Sequence, residues 1–438
     1  MTGRVDLARQ LAALPQRAPR VCRGRVVELT GLVVRAVAEG LRQGEIVHIQ
    51  DPGTESLMAE VVGFRGDEAV LLPLGEARGL APGAEVVPSG RPLTIRAGRA
   101  LLGRVLDGLG RPLDRRPLPG GLSTWCLDRA APNPLDRERV RRPLQLGVRA
   151  LDALLTAGEG QRIGLFAGSG VGKSTLLGQI ARGTAADVVV VGLVGERGRE
   201  VREFLEESLG PEGLARSVVV VATSDVPALV RLKAAYTATA IAEWFAEVDG
   251  RRVLLLLDSI TRFARARREV GLAAGELPAR HGYPPSVFSE LPRLLERTGN
   301  RSRGGITAVY TVLVAGGDMD EPIADEVRGI LDGHVVLERD VAARGRFPAV
   351  DILQSISRVM PAVATPRHLA LAARAREVLA VWERQRDMVA LGAYARGSDA
   401  ATDDAIARIG AIEALLAQDA AERSTFQEAL AALESALA

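Results

Sequence analysis

Between Arg162 and Thr175 the chain reads Arg-Ile-Gly-Leu-Phe-Ala-Gly-Ser-Gly-Val-Gly-Lys-Ser-Thr. An apolar run passes into three glycines at alternate positions, and helix-forming residues follow. Backbone N–H groups can curl around an anion only where side chains stay clear, and Gly168, Gly170 and Gly172 meet that condition. A helix starting near Lys173 turns its positive end toward the same point. The spacing therefore predicts a strand, a phosphate-cradling loop and a helix. Gly168, Ser169, Gly170, Val171, Gly172, Lys173, Ser174 and Thr175 would hold a nucleoside triphosphate, ATP. Lys173 would reach its terminal phosphates and Ser174 would bind Mg²⁺. The usual pattern opens on Gly; here Ala167, also small, stands in that place.

Such a unit needs a sheet around it. From about 150 to 360, apolar runs at 162–167, 188–194, 217–222, 253–257, 306–314 and 334–337 read as strands. Helical stretches at 173–182, 200–209, 227–248, 286–298 and 322–331 alternate with them. That alternation predicts a parallel sheet covered on both faces. Upstream, residues 21–92 carry short apolar runs punctuated by Gly, Pro and Asp, the pattern of a small β-barrel. Residues 93–145 form a Gly-, Pro- and Arg-rich connector. After Pro361 the strand signals stop. The remainder is rich in Ala, Leu, Arg and Glu and reads as about three helices, broken near Gly397–Asp399. Residues 3–14, with Leu7, Leu11 and Leu14 a turn apart, predict an amphipathic helix ended by Pro15. The expected bounds are thus 1–20 for the helix, 21–92 for the barrel, 93–360 for the core with its connector, and 361–438 for the helical domain. The class is α/β.

Composition narrows the possibilities. Fifty-six basic against 54 acidic residues leave +2, which argues against wholesale binding to nucleic acid or anionic membrane. Two cysteines, Cys22 and Cys126, make neither a metal cluster nor a disulfide framework. No run approaches the ~20 apolar residues of a membrane span, and 1–20 lacks the continuous apolar core of a signal peptide. The expected setting is the cytoplasm.

The run Arg252-Val-Leu-Leu-Leu-Leu-Asp258 reads as a buried strand ending in a carboxylate, the usual way to place an acid near Mg²⁺. Many phosphate-loop ATPases follow that Asp with Glu, but Ser259 follows here. The carboxylate that polarises the attacking water must then come from elsewhere. Glu196, after the strand at 188–194, is the best candidate, with Glu200 as runner-up. Arg197 could hold the γ-phosphate.

Taken together, Gly168–Thr175, Gly195-Glu-Arg-Gly-Arg-Glu-Val201, Asp258-Ser-Ile-Thr-Arg-Phe263, Gly282-Tyr-Pro-Pro-Ser-Val-Phe288 and Ile330-Leu-Asp-Gly-His334 resemble the export ATPases of flagella and type III secretion systems. Those are relatives of the catalytic β subunit of rotary ATP synthases. The resemblance runs from about residue 20 to the C-terminus and is weakest in the last 70. It implies an N-terminal β-barrel, a RecA-like P-loop ATPase core and a helical C-terminal domain. By motif it implies that Lys173 and Ser174 meet phosphate and Mg²⁺, Glu196 activates water, Asp258 supports Mg²⁺, and Arg197 and Arg262 lie near the γ-phosphate. Phe347 would lie on the adenine, and Arg358 would be an arginine finger acting across a subunit boundary. The implied partners are a homohexamer, a stator at the N-terminal helix, a central stalk, export substrates with their chaperones, and export-gate membrane proteins. Association with the membrane would be peripheral.

Three rivals are weighed against this. A rotary synthase β subunit would carry an acidic lever motif in 367–438, and only Asp403-Asp404 is present. A hexameric nucleic-acid translocase would need a basic-aromatic platform, but aromatics are 3% of the chain. A non-hydrolysing scaffold would not need Lys173, Glu196, Asp258 and Arg358 together. Within the family, Val218–Asp225, Lys233–Glu243 and Val327–His334 are nearer the flagellar branch than the injectisome branch.

Overall fold

The computed structural model describes residues 23–51 and 55–438. The expected helix at 3–14 lies outside them. The chain divides into two compact units that meet in sequence at Leu93 and Thr94.

The first unit is a closed antiparallel barrel. Its strands are β1 (Gly24–Thr30), β2 (Val33–Val37), β3 (Glu45–Gln50), β4 (Leu57–Arg65), β5 (Glu68–Pro73) and β6 (Glu85–Pro92), in the order β1-β2-β5-β4-β3-β6. The last of these was not legible as a strand: it carries two prolines and a glycine. It is nevertheless the strand that closes the ring, pairing with both β1 and β3. Alternate residues point inward, so Val34, Ala36, Val47, Ile49, Ala59, Val61, Leu71 and Val86 form the core.

The second unit is built on a sheet whose spatial order is β14-β13-β8-β12-β11-β9-β10-β7. In chain order these are β7 (Arg104–Asp107), β8 (Arg162–Ala167), β9 (Val188–Glu196), β10 (Ser217–Thr223), β11 (Arg252–Asp258), β12 (Gly305–Leu313), β13 (Gly333–Leu337) and β14 (Val350–Ser357). From β13 to β7 the pairings are parallel, and β14 runs antiparallel to β13. Parallel strands lie under helices on both faces, which is why β11 can carry four leucines in a row: Leu254 to Leu257 are wholly buried. Each such side chain contributes about 1.5–3 kcal/mol relative to exposure.

Helices α1 (Lys173–Gly183), α2 (Ala228–Glu247), α3 (Ile260–Ala273), α4 (Pro285–Leu295) and α5 (Pro322–Ile330) cover the sheet. Four elements depart from the expectation. The connector supplies the edge strand β7. Strand β14, with the polar sequence Val-Asp-Ile-Leu-Gln-Ser-Ile-Ser, is an outer strand whose Leu353 and Ile356 are exposed. Helix α3 is arginine-rich, yet Phe263, Ala264, Ala266 and Val270 give it a buried face. The helix expected at 200–209 starts at Gly198 and widens into a π-helical turn over Phe204–Leu209.

The C-terminal segment forms α6 (Pro366–Ala390), α7 (Ala400–Leu416) and α8 (Phe426–Leu437). Ala372, Ala375, Ile412, Leu415 and Leu433 join the same apolar cluster as Leu151 and Leu154 of the sheet-bearing part. Among the described residues no helix is long and apolar enough to cross a membrane.

Candidate nucleotide site

Strand β8 ends at Ala167, and α1 begins at Lys173. Between them Gly170 and Gly172 have φ of 80° and 84°, a region that side-chain-bearing residues rarely enter. No side chain caps the start of α1, so its first N–H groups are left for a ligand. Ser169, Ser174 and Thr175 are exposed around this cup, and Val171 is buried beneath it.

Parallel pairing brings the ends of three strands to the loop. Lys173 Nζ donates to both carboxylate oxygens of Asp258, the last residue of β11. Asp258 Oδ1 also accepts from the Thr311 hydroxyl at 2.6 Å, on the adjacent β12. On the other side, β9 pairs with β11 in the register Leu193 opposite Asp258, and its last residue, Glu196, projects past that point. Glu196 Oε1 lies 3.6 Å from Lys173 Nζ.

Glu196 is 7% exposed. Its Oε2 accepts from Arg262 Nη2 at 3.1 Å, and Arg262 Nη1 also donates to the Gly195 carbonyl. Its Oε1 is buried with no hydrogen-bond partner among the described residues. Burial above all, then the charge of Asp258, pushes the Glu196 carboxyl up to about 7, against the pull of Lys173. Glu200, in the following helix, meets Glu196 side chain to side chain. That contact holds Glu200 below the usual carboxylate range and Glu196 above it. A buried acid with its proton poised near neutrality and one unfilled acceptor has the properties of a general base.

The other expected residues separate. Arg262 joins the cluster through Glu196. Arg197 is mostly exposed and pairs with Glu200 at 3.3 Å. Phe347 is half exposed, and its ring lies 3.5 Å from where a side chain on Gly172 would begin, so the aromatic face borders the loop. Its carbonyl accepts from Gln418 N at 2.8 Å, tying the Phe347 backbone to the C-terminal segment. Arg358 is exposed at the end of β14. Its N–H bonds the Asp332 carbonyl, and Asp332 N bonds the Arg162 carbonyl, so Arg358 is level with the start of β8 while the phosphate loop follows the end of β8.

Two contributors escaped the sequence reading. Thr311 was signalled only by being polar within the apolar β12, and Gln418 carried no local signal at all.

Residues 147–357 match the nucleotide-binding domain of the ATP synthase alpha/beta family, residues 23–90 its beta-barrel domain, and residues 364–435 the T3SS EscN ATPase C-terminal domain. The chain is 52% identical over 414 residues to the flagellum-specific ATP synthase of Bacillus subtilis (strain 168), covering 94% of each. It is 51% identical over 416 residues to the type 3 secretion system ATPase of Xanthomonas euvesicatoria, covering 94% of this chain and 93% of that one. Among solved structures, the assembled ATPase EscN from the enteropathogenic E. coli type III secretion system superposes with a TM-score of 0.90 at 45% identity, over 95% of this chain and all of that one. EscN in complex with its central stalk EscO gives 0.88 at the same identity and coverage. With matches along nearly its whole length and a phosphate loop set among Asp258, Glu196 and Arg262, this chain belongs to the ATP synthase alpha/beta family, among the flagellar and type III secretion ATPases.

Proposed function

We propose that this protein is an ATP-hydrolysing motor that energises flagellar type III protein export. The observation that carries the reading is the division of the catalytic set. Lys173, Asp258 and Glu196 converge on the phosphate loop, while Arg358 stands at the far end of the same sheet, where only another copy could use it. The assembled EscN structures support a ring, and we take it to be a homohexamer with a central stalk.

In the proposed site Lys173 exchanges Asp258 for the β- and γ-phosphates of ATP. Glu196, with no hydrogen bond at Oε1 among the described residues, takes a proton from the attacking water, and Arg262 holds Glu196 in place. The exposed Ser174 hydroxyl and the Asp258 carboxylate form an oxygen donor set suited to Mg²⁺, which would offset charge on the phosphates. Arg197 would turn from Glu200 toward the γ-phosphate. Phe347 offers its ring to the adenine. Arg358 would stabilise transition-state charge in the neighbour's site, a role worth ~10³–10⁵ in rate.

Rotation or rocking of the C-terminal helices, linked to the site through Gln418 and Phe347, would be the mechanical output. The proposed bounds are 1–20 for a stator-binding helix, 21–92 for the barrel, 93–360 for the core and 361–438 for the helical domain. The proposed partners are the stator, a central stalk, export substrates and chaperones, and export-gate proteins. The proposed location is cytoplasmic, peripheral to the inner-membrane export apparatus.

The test is complementation of a deletion strain. The wild-type gene should restore swimming, and Lys173→Ala should restore neither swimming nor hydrolysis. Normal swimming in the deletion strain, with secretion of effectors lost, would move the assignment to an injectisome.

A further inference from the structure

Gln161, the residue before β8, is 1% exposed, and its side-chain amide is fully engaged. Oε1 accepts from Gly158 N at 2.9 Å. Nε2 donates to the Asp332 carbonyl and to the Ser357 hydroxyl, each at 3.2 Å. Both of those acceptors also hold the backbone at Arg358. The Asp332 carbonyl accepts the Arg358 N–H at 3.0 Å. The Ser357 hydroxyl donates to the Thr156 carbonyl at 2.8 Å and accepts from Met360 N at 3.2 Å. The Asp332 carboxylate adds a second tie, bonding Arg162 N at 3.0 Å and its Nε and Nη2 at 3.1 Å.

Among the described residues the exposed Arg358 guanidinium makes no hydrogen bond or ion pair, so its direction is set by the backbone on which it stands. We infer that Gln161 is a positioning residue for Arg358, fixing the seat from which the arginine enters the neighbour's site. The inference rests on the reading of Arg358 as a finger acting in trans. Residues 162–167 are one unbroken strand with the clamp on Arg358 at one end and the phosphate loop at the other. Glutamine suits the place because it supplies one acceptor and two donors together. A glutamate would set an oxygen against the Asp332 carbonyl, and a methionine would fill the space without bonding.

The test uses mixed rings. Subunits carrying Lys173→Ala have a dead site of their own but still offer Arg358 to a neighbour. Three dopants are mixed separately with wild type at nine to one: Lys173→Ala, Lys173→Ala/Arg358→Ala and Lys173→Ala/Gln161→Met. Size-exclusion chromatography of the same samples reads co-assembly. If Gln161→Met does not co-assemble, Gln161→Glu takes its place. The Arg358 double variant should lower ATPase activity about tenfold below Lys173→Ala alone, because most wild-type sites then lack a finger. The Gln161 double variant should fall at least about threefold below it, since small misplacements of a catalytic group cost up to ~10² in rate. Because the dopant's own site is already dead, a structural effect of Gln161 on its own phosphate loop cannot produce that drop. If the Gln161 curve coincides with Lys173→Ala while the Arg358 curve falls, Gln161 does not position the finger. If all three coincide, the reading of Arg358 itself fails, and this inference falls with it.

Discussion

Arg358 and Lys173 occupy opposite ends of one sheet. The Asp332 backbone links Arg358 to the first residue of β8, and Lys173 follows the loop after its last. Six strand residues at ~3.3 Å each separate the two levels by on the order of 15–20 Å, too far for an arginine to serve its own subunit's phosphate loop.

Arg358→Ala should therefore cut kcat by ~10³ or more while leaving the Kd for a fluorescent ATP analogue within about twofold. Specific activity of the wild type should climb steeply with protein concentration. Activity strictly proportional to enzyme from the most dilute sample upward would contradict a finger supplied in trans.

Glu196 must be ionised to accept a proton, and its carboxyl is pushed up to about 7. On the acid side kcat/KM should fall as pH drops through that value, since the profile reports the free enzyme. Glu200→Gln removes the contact that helps to hold the proton on Glu196 and offers it an amide donor instead. The acid limb of that variant should shift to lower pH relative to wild type. Comparing the two proteins on one substrate cancels the titration of ATP itself. An unmoved limb would mean that Glu200 does not tune the base.

Phe347 presents a half-exposed ring beside Gly172. Stacking on a base is worth about 1–3 kcal/mol. Phe347→Ala should raise KM for ATP by about tenfold with a smaller change in kcat, and Phe347→Tyr should stay near wild type. Equal loss in GTP and ATP would be uninformative about base identity but would still support stacking; an unchanged KM would remove Phe347 from the site.

The Arg297–Glu243 pair joins α2 to the segment just after α4. Arg297 Nε and Nη2 donate to the two Glu243 oxygens at 2.8 and 2.7 Å, and both side chains are about as buried as the core leucines. Removing one partner strands a buried charge, a loss of about 3–5 kcal/mol. Arg297→Met should lower the thermal midpoint markedly, and Arg297→Met/Glu243→Leu should recover part of it. A double variant no better than the single would show that Glu243 is held chiefly by Arg129 and Arg301.

Local sequence determined a good deal here. Glycines at 168, 170 and 172 dictate a phosphate loop because only they leave the backbone N–H groups bare. The run from Val253 to Leu257 dictates a buried parallel strand because no exposed strand could carry it. With Ser259 and not glutamate after Asp258, a base has to come from another strand, and the structure sets Glu196 beside Lys173. Other features depended on the fold. Polar β14 and proline-bearing β6 are strands because neighbours pair with them, not because of their own composition. Thr311 reaches Asp258, Gln418 holds Phe347, and Gln161 holds the seat of Arg358 only after long-range packing brings them together. Arg197 and Arg262 sit in neighbouring motifs, yet only Arg262 faces Glu196. Spacing along a strand or loop follows from local sterics, whereas partners from 53 to 196 residues apart are chosen by the closing of the sheet and the docking of the helices.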